Sequence, residues 1–129
     1  MCRDIKAENI LLESSGSLNV KVADFGFACF YKEASKDILG SPLYMAPEIV
    51  SGGDYGEKVD VWSTGVIAYI LVTGKPPFKG RDRDDIFASI KFLDLSLDGL
   101  DHLSKECRSF LILALTKEPQ IRPSASALL

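Results

Sequence analysis

The sequence predicts an α+β fold that is mainly helical and carries one small β-hairpin near its start. Two short apolar runs separated by a turn-rich stretch predict the hairpin, and apolar residues recur at helical spacing through the second half of the chain. The chain has 129 residues, 47% of them hydrophobic and 26% charged, and shows no internal repeat. This composition is typical of one globular unit with a single core.

The hairpin is predicted from the apolar residues 10–12 and 18–22. Between them, residues 13–17 read Glu-Ser-Ser-Gly-Ser, a composition that favours a turn. From residue 25 to residue 41, aromatic, charged and small residues mix without a clear period, which predicts a long ordered or switchable loop.

Helices are predicted in the rest of the chain. Pro47 suits the first turn of a short helix. Residues 59–72 are apolar on nearly every face, which is typical of a helix surrounded by protein, and Gly-Lys-Pro-Pro at 74–77 ends that helix. The remaining helices are predicted at residues 84–92, from Ser104 to the residue before Pro119, and from near Ser124.

Charge and cysteine content exclude several classes of protein. The 15 basic and 18 acidic residues give a net charge of -3, which supplies no positive field for nucleic acid or an anionic membrane. The longest apolar run is shorter than the about 20 residues that cross a bilayer. Cys2, Cys29 and Cys107 fit neither a disulfide framework nor a zinc site, and no secretory signal is visible, so we expect an intracellular, cytoplasmic protein with reduced thiols.

Candidate site residues flank the predicted hairpin. Asp4, Lys6 and Asn9 precede its first strand, and Asp24 follows its second strand as the start of Asp-Phe-Gly. Because a hairpin returns the chain to its starting edge, Asp24 should lie beside Asn9. Carboxylate and amide oxygens are ligands that Mg²⁺ accepts, so a metal site is expected at the open end of the hairpin. Taken singly, each piece is ambiguous, since an Arg-Asp pair is usually a surface ion pair and Asp-Phe-Gly is usually a turn.

Together with these residues, four later segments form a pattern that resembles the eukaryotic protein kinases. About a dozen fixed positions in the right order exclude coincidence. The four segments are Gly-Ser-Pro-Leu-Tyr-Met-Ala-Pro-Glu at 40–48, Asp-Val-Trp-Ser-Thr-Gly-Val at 60–66, Gly-Lys-Pro-Pro-Phe at 74–78, and Arg-Pro at 122–123.

The resemblance implies a protein-kinase-like α+β fold and covers residues 1–129 as a partial kinase domain. It corresponds to the mainly helical C-terminal lobe, from the catalytic loop to the start of the last helix, with the β-hairpin at the active site and the N-lobe absent. Lys6, two residues after Asp4, is typical of serine/threonine kinases. Residues 69–78 are similar to the calcium/calmodulin-dependent group, which includes calcium-dependent protein kinases.

The resemblance implies ATP and Mg²⁺ as cofactors and the Ser or Thr hydroxyls of proteins as acceptors. Asp4 would orient the acceptor hydroxyl and take its proton, and Lys6 would neutralise the transferring phosphoryl group. Asn9 and Asp24 would hold Mg²⁺. The residues expected around the cofactor are Glu8, Asn9, Leu11 and Asp24, where Leu11 packs under the adenine ring and Glu8 could instead pair with a basic residue of a peptide substrate.

Scaffold roles are also implied by the resemblance. Glu48 would form a buried ion pair with Arg122, and Asp60 would accept hydrogen bonds from the catalytic-loop backbone. The hydroxyl of Ser41 would brace the catalytic pair. Ser35 is a candidate phosphorylation site in the 24–48 segment, where Tyr31 is another hydroxyl, with Arg3 placed to receive the phosphate.

Two departures from the kinase pattern matter for function. Cys2 replaces the usual His, which would pack on Phe25. The chain also contains no Gly-rich phosphate loop, strand Lys or helix Glu, so we expect these 129 residues alone to be inactive and to need an N-lobe or a regulatory domain as a partner. Three functions stay open: a fragment of an active serine/threonine kinase, a non-catalytic lobe that acts as a binding module or decoy, and other Mg²⁺-dependent chemistry such as a nuclease.

Overall fold

The computed structural model describes residues 1–30 and 38–129. The candidate phosphosite Ser35, and Tyr31, lie outside these residues. The described part contains four α-helices and one two-stranded antiparallel sheet, which confirms the α+β prediction. The elements are β1 (Ile10–Leu12), β2 (Val20–Val22), α1 (Pro47–Val50), α2 (Lys58–Thr73), α3 (Arg83–Phe92) and α4 (Lys105–Ala114), with 3₁₀ turns at Ala7–Asn9, Pro42–Tyr44 and Ala125–Ala127.

The hairpin forms where the two apolar runs predict it. Ile10 pairs with Val22 and Leu12 with Val20, and the second strand begins two residues later than expected. The pairing continues beyond the strands, because the Ala23 amide donates to the Asn9 carbonyl at 2.8 Å. This register fixes which residues meet at the open end of the hairpin.

Helix α2 is the centre of the core, as its apolar sequence predicts. Trp62 is completely buried and stacks on Phe78 with ring centroids 5.5 Å apart. Gly74, in the left-handed conformation with φ of 73°, ends the helix by donating to the Ile70 carbonyl. The expectation that α2 is enclosed on every face is wrong for Leu71, which is 79% exposed, because α4 and the Pro42–Tyr44 turn pack on other faces of the helix.

Helices α3 and α4 begin with side-chain caps. Asp82 accepts a hydrogen bond from the Asp85 amide, and Ser104 accepts one from the Cys107 amide, which confirms Ser104 as a cap. Helix α4 ends at Ala114, earlier than predicted, and only a three-residue 3₁₀ turn follows Ser124, where a helix was predicted. None of the helices in the described ranges is long and apolar enough to span a bilayer.

A buried ion pair joins α1 to the segment after α4, as predicted. The Arg122 guanidinium makes two parallel hydrogen bonds to Glu48, at 2.7 and 3.0 Å. Arg122 also donates to the carbonyls of Thr116, Lys117 and Lys58. Its side chain is inaccessible to solvent, so the pair is part of the core.

Candidate active site

The loop before β1 is anchored on α2 through Asp60. The two carboxylate oxygens of Asp60 accept from the backbone amides of Cys2, at 2.6 Å, and Arg3, at 2.9 Å. This contact confirms the expected scaffold role of Asp60. Arg3 has a φ of 71°, a left-handed conformation that is unfavourable for a non-glycine residue. The charged hydrogen bonds from α2 therefore hold the loop in a backbone conformation that it would otherwise avoid.

Asp4 is the centre of a hydrogen-bonded cluster at the end of this loop. Its side chain is 5% exposed, and its Oδ2 accepts from the Lys6 Nζ at 2.7 Å. The Asn9 amide nitrogen donates to the same oxygen at 3.3 Å and to the Asp4 carbonyl at 3.0 Å. The structure thus brings together three of the residues that the sequence singled out.

The charge of Lys6 is stabilised by its surroundings. The hydrogen bond to Asp4 raises the pKa of Lys6 above its ordinary value of 10.5, and burial opposes this effect. The negative charges of Asp4, Glu8 and Asp24 raise it further. Lys6 is therefore a firmly protonated ammonium group at neutral pH, which suits the neutralisation of a developing negative charge.

The hairpin register places Asp24 beside Asn9, as expected. Asp24 follows Ala23 directly, and the Ala23 amide is bonded to the Asn9 carbonyl. Asp24 has a φ of 60°, and its Oδ1 accepts from the Gly26 amide at 3.0 Å. A turn therefore orients this exposed carboxylate at the open end of the hairpin.

Two side chains at this end of the hairpin carry oxygen atoms of the kind that Mg²⁺ accepts. Asn9 uses its amide nitrogen to bind Asp4, which leaves its carboxamide oxygen as an acceptor, and Asp24 adds a carboxylate. Within residues 1–30 and 38–129, no group of three or more His, Cys, Asp and Glu side chains could hold a metal ion. A site of one amide and one carboxylate still suits Mg²⁺, which keeps several waters and takes substrate phosphates as its other ligands.

The remaining predicted site residues lie at the edge of this cluster. Leu11 on β1 is 52% exposed, and Glu8 is exposed in the 3₁₀ turn before it. Phe25 is 63% exposed and borders an open cavity with Cys2, so the contact that the usual His would make with Phe25 is missing, as expected from its replacement by Cys2. Leu11 and Phe25 therefore present apolar side chains to solvent next to the candidate site.

Residues 40–44 pack against the loop that carries Arg3 and Asp4, and the sequence did not predict the details of this contact. Gly40 has a φ of 108°, and a Cβ there would lie 3.0 Å from the Arg3 carbonyl oxygen, so only glycine fits. Burial raises the pKa of Tyr44, and the charge of nearby Glu8 raises it further. Ser41 lines a small cavity with Asp4, but within the described residues no hydrogen bond joins the Ser41 hydroxyl to Asp4 or Lys6, contrary to the expected brace.

Comparison with known proteins agrees with this arrangement. The model of the protein kinase domain family matches residues 1–129, and the chain therefore belongs to that family. The similarity extends to named serine/threonine kinases and calcium-dependent kinases, which confirms the resemblance drawn from the sequence.

Three relatives illustrate the range of the similarity. The chain is 44% identical over 131 residues to serine/threonine-protein kinase PEPKR2 of Arabidopsis thaliana, covering 98% of the chain and 27% of the relative. It is 47% identical over 92 residues to calcium-dependent protein kinase 5 of Plasmodium berghei, covering 69% of the chain and 16% of the relative. It is 39% identical over 134 residues to calcium-dependent protein kinase 6 of Oryza sativa subsp. japonica, covering 100% of the chain and 24% of the relative. The chain thus spans about a quarter or less of the length of these three relatives.

Proposed function

We propose that this chain is part of the C-terminal lobe of a protein serine/threonine kinase. Within a whole kinase domain, its residues would carry out phosphoryl transfer from ATP to Ser or Thr hydroxyls of protein substrates. The observation that best supports this proposal is the buried carboxylate of Asp4, held by Lys6 and Asn9 where the hairpin opens.

Asp4 and Lys6 are the proposed catalytic residues. Both hydrogen bonds to the Asp4 side chain fall on Oδ2. The other oxygen, Oδ1, would lie 3.7 Å from a Cβ at position 40, so Gly40 leaves this oxygen without a covering side chain on that side. A carboxylate fixed in this way can orient a substrate hydroxyl and accept its proton, while the Lys6 ammonium stabilises negative charge on the phosphoryl oxygens.

Asn9 and Asp24 are the proposed ligands of Mg²⁺, which would neutralise charge on the phosphates of ATP when bound. The hydrogen bonds from Asn9 to Asp4 tie this metal site to the proposed base. As a result, the position of Asp4 depends on the same amide that would present an oxygen to the metal. The loss of Asn9 should disturb both functions together.

Leu11 and Glu8 are proposed at the periphery of the nucleotide site. The exposed apolar side chain of Leu11 could cover one face of the adenine ring. Glu8 is exposed beside Lys6 and Tyr44, so it could act at the cofactor or attract a basic residue of a peptide substrate.

The proposal assigns only part of the chemistry to these residues. The 129 residues contain no Gly-rich phosphate loop, strand Lys or helix Glu of the kinase pattern. We therefore expect no phosphoryl transfer by the chain alone, because the metal ligands cannot position ATP without those groups. An N-lobe, or a regulatory domain attached to one, is the partner that the proposal requires.

A chimera tests the proposal. The part of PEPKR2 that precedes its matched region is joined to residue 1, and transfer of the labelled γ-phosphoryl group of ATP to Ser/Thr peptides is measured with and without Mg²⁺. We expect Mg²⁺-dependent transfer by the chimera and background only from the chain alone. Asp4→Asn should reduce the rate by about 10²–10⁴-fold. Asp84→Asn, at an exposed position in the first turn of α3, is the matched control and should keep the activity.

Two results would overturn the proposal. One is a folded chimera that binds ATP but transfers no phosphate to any hydroxyl peptide. The other is full activity in the Asp4→Asn variant. Folding is checked beforehand by circular dichroism and a cooperative urea transition.

The surface of the hairpin favours a second candidate, a non-catalytic binding module or decoy. Leu12, Leu18 and Val20 are 60%, 96% and 56% exposed, which is apolar surface that a partner could cover. An inactive chimera, together with a stable complex between the chain and an isolated kinase N-lobe in size-exclusion chromatography, would favour this function.

A further inference from the structure

A groove runs along one face of helix α3. It has a volume of about 570 Å³, and none of its lining residues belongs to the candidate active site. Four of the lining residues lie at helical spacing and form a single stripe along the helix: Asp85, Ala88, Ser89 and Phe92. The side chains in the middle of this stripe are small, so the helix leaves a depression there.

The segment 79–81 forms the other wall of the groove and is held against the first turn of α3. A Cβ on Gly80 would lie 2.4 Å from the Ile86 amide nitrogen, so only glycine allows this close approach. The backbone amide and the Nε of Arg81 both donate to Asp85 Oδ2, at 3.3 and 3.0 Å. This wall is therefore fixed in place without a ligand.

The end of the groove near the C-terminus of α3 is apolar. Phe92 and Leu93 are 78% and 59% exposed, although both line the groove. The Lys117 ammonium donates to the Leu93 carbonyl, which fixes this end of the helix. Two neighbouring exposed apolar side chains in a groove are surface that another molecule can cover.

The Ser89 hydroxyl is an unused polar group in the groove. Ser89 is 5% exposed, and within residues 1–30 and 38–129 its hydroxyl makes no hydrogen bond. A serine buried to this extent normally has a hydrogen-bond partner. Because Ser89 lines the groove, we expect a polar group of a bound molecule to supply that partner.

Lys79 gives the groove its net charge. The lining contains two cations, Lys79 and Arg81, and one carboxylate, Asp85. Arg81 and Asp85 pair with each other at 3.0 Å, whereas Lys79 forms no ion pair in the described part of the chain. The nearby acidic residues Asp82 and Asp84 do not line the groove. A carboxylate close to Lys79 would therefore complement the charge of the groove.

The length of the stripe sets the size of the occupant. From Asp85 to Phe92 the helix rises about 10 Å, a length that about three extended residues span. Lys79 lies at the Asp85 end, because the next residue, Gly80, contacts the first turn of α3. We propose that the groove binds a three-residue extended segment of a partner protein, with an apolar side chain against Phe92, a backbone group at the Ser89 hydroxyl and a carboxylate beside Lys79.

Helix α3 also connects the groove to the candidate site. It packs on the Pro42–Tyr44 turn, and Tyr44 lines the small cavity that Asp4 also lines. If the proposed function holds, the partner would be a protein substrate that docks apart from its acceptor hydroxyl, and only this step rests on the proposed function. Peptide binding is measured without catalysis, so an inactive chimera would leave the docking proposal intact.

The test titrates the ¹⁵N-labelled 129-residue chain with two capped peptides, acetyl-Gly-Leu-Gly-Asp-Gly-amide and its reversed sequence, and follows the amides by NMR. We expect at least one peptide to shift the amides of the groove residues and to leave those of Asp4 and Asn9 in place. Asparagine instead of aspartate in that peptide should weaken binding by about 2–5-fold. Alanine instead of leucine should weaken it by about 10-fold.

Variants of the chain test each contact. Phe92→Ala should weaken binding by about 10-fold and Ser89→Ala by about 2–10-fold, and Ser89→Ala should leave the urea transition unchanged because no hydrogen bond is lost. Lys79→Glu should reverse the preference toward a peptide with lysine in place of aspartate. The matched controls are Leu71→Ala, at a position 79% exposed on α2, and Lys105→Glu, at an exposed position on α4, and both should bind like the original chain.

Four results would each overturn the proposal. They are the absence of groove shifts with either peptide, shifts centred on another part of the chain, equal binding of the aspartate and asparagine peptides, and unchanged binding by Lys79→Glu or Ser89→Ala.

Discussion

Removal of the Arg122 side chain should be the most damaging change to the scaffold. All the donor nitrogens of its guanidinium are used, in two bonds to Glu48 and three to main-chain carbonyls. The group also lies over the Trp62 ring, with the guanidinium carbon 5.1 Å from the ring centroid. Arg122→Ala therefore deletes a charge, five hydrogen bonds and a stacking contact in one step.

The contacts set the size of the effect. The three bonds to carbonyls are worth about 1 kcal/mol each in net terms. The Glu48 side chain is 8% exposed and would lose its counter-charge, and breaking a buried pair costs about 3–5 kcal/mol. Water that enters the vacated volume can hydrate Glu48 and the three carbonyls, so it offsets part of the summed cost. We therefore expect the free energy of unfolding to fall by about 3–5 kcal/mol. A domain of this size has about 5–15 kcal/mol in total, so the loss would be a large fraction of it.

Urea denaturation followed by circular dichroism measures this loss. The matched control is Arg81→Ala, since Arg81 pairs with Asp85 at 3.0 Å but is 92% exposed, and its removal should cost at most about 1 kcal/mol. A double-mutant cycle between Glu48→Ala and Arg122→Ala should give a coupling of about 1–3 kcal/mol. If Arg122→Ala were no worse than Arg81→Ala, the pair would not support the fold and the reasoning would be refuted.

Three other perturbations test the site and the core. Asp60→Asn weakens the acceptor of the Cys2 and Arg3 amides and should lower the free energy of unfolding by about 1–3 kcal/mol. Hydrogen exchange at these two amides should become faster, and unchanged exchange would contradict the role of Asp60 in holding the loop. Gly65→Ala places a methyl group 2.8 Å from the Ala114 Cβ and should lower the free energy of unfolding, measured with urea, by about 1–3 kcal/mol. An equally stable variant would show that α2 and α4 can move apart without cost. The pKa of Lys6 measured by NMR should lie above 10.5. The ion pair of Lys6 should stabilise the fold below pH 10.5, and this stabilisation should be lost as the pH rises through the pKa of Lys6 in the folded state. Asp4→Asn should lower the pKa of Lys6, and an unmoved pKa would exclude the ion pair as its cause.

Local patterns predicted the fold well where one segment decides its own structure. The alternation of apolar runs and turn residues predicted β1 and β2, and the return of the hairpin predicted that Asp24 lies beside Asn9. Ser104 was recognisable as a cap because a short hydroxyl side chain precedes an apolar stripe. Such signals depend on neighbours in sequence, so the sequence carries them in full.

Features that depend on distant contacts were harder to predict. The apolar residue Leu71 looked like core, yet burial depends on which elements pack against a face, and periodicity does not show that. In the same way, the close approach of Gly40 to the Arg3 carbonyl and the missing contact between the Ser41 hydroxyl and Asp4 depend on how residues 40–44 pack against the loop that carries Arg3 and Asp4. The cluster of Asp4, Lys6 and Asn9 was predictable because these residues are close in sequence.

The first half of α2 links the stability of the fold to the geometry of the candidate site. Asp60 holds the loop before Asp4, and three residues later along α2 the Ser63 hydroxyl donates to the Tyr44 carbonyl at 2.8 Å. The carbonyl of Lys58, at the start of the helix, accepts from Arg122. A substitution in this half of the helix therefore changes the site and the scaffold together. Loss of activity there says little about chemistry unless stability is measured as well, whereas loss of activity at Asp4 with unchanged stability would report on the chemical step itself.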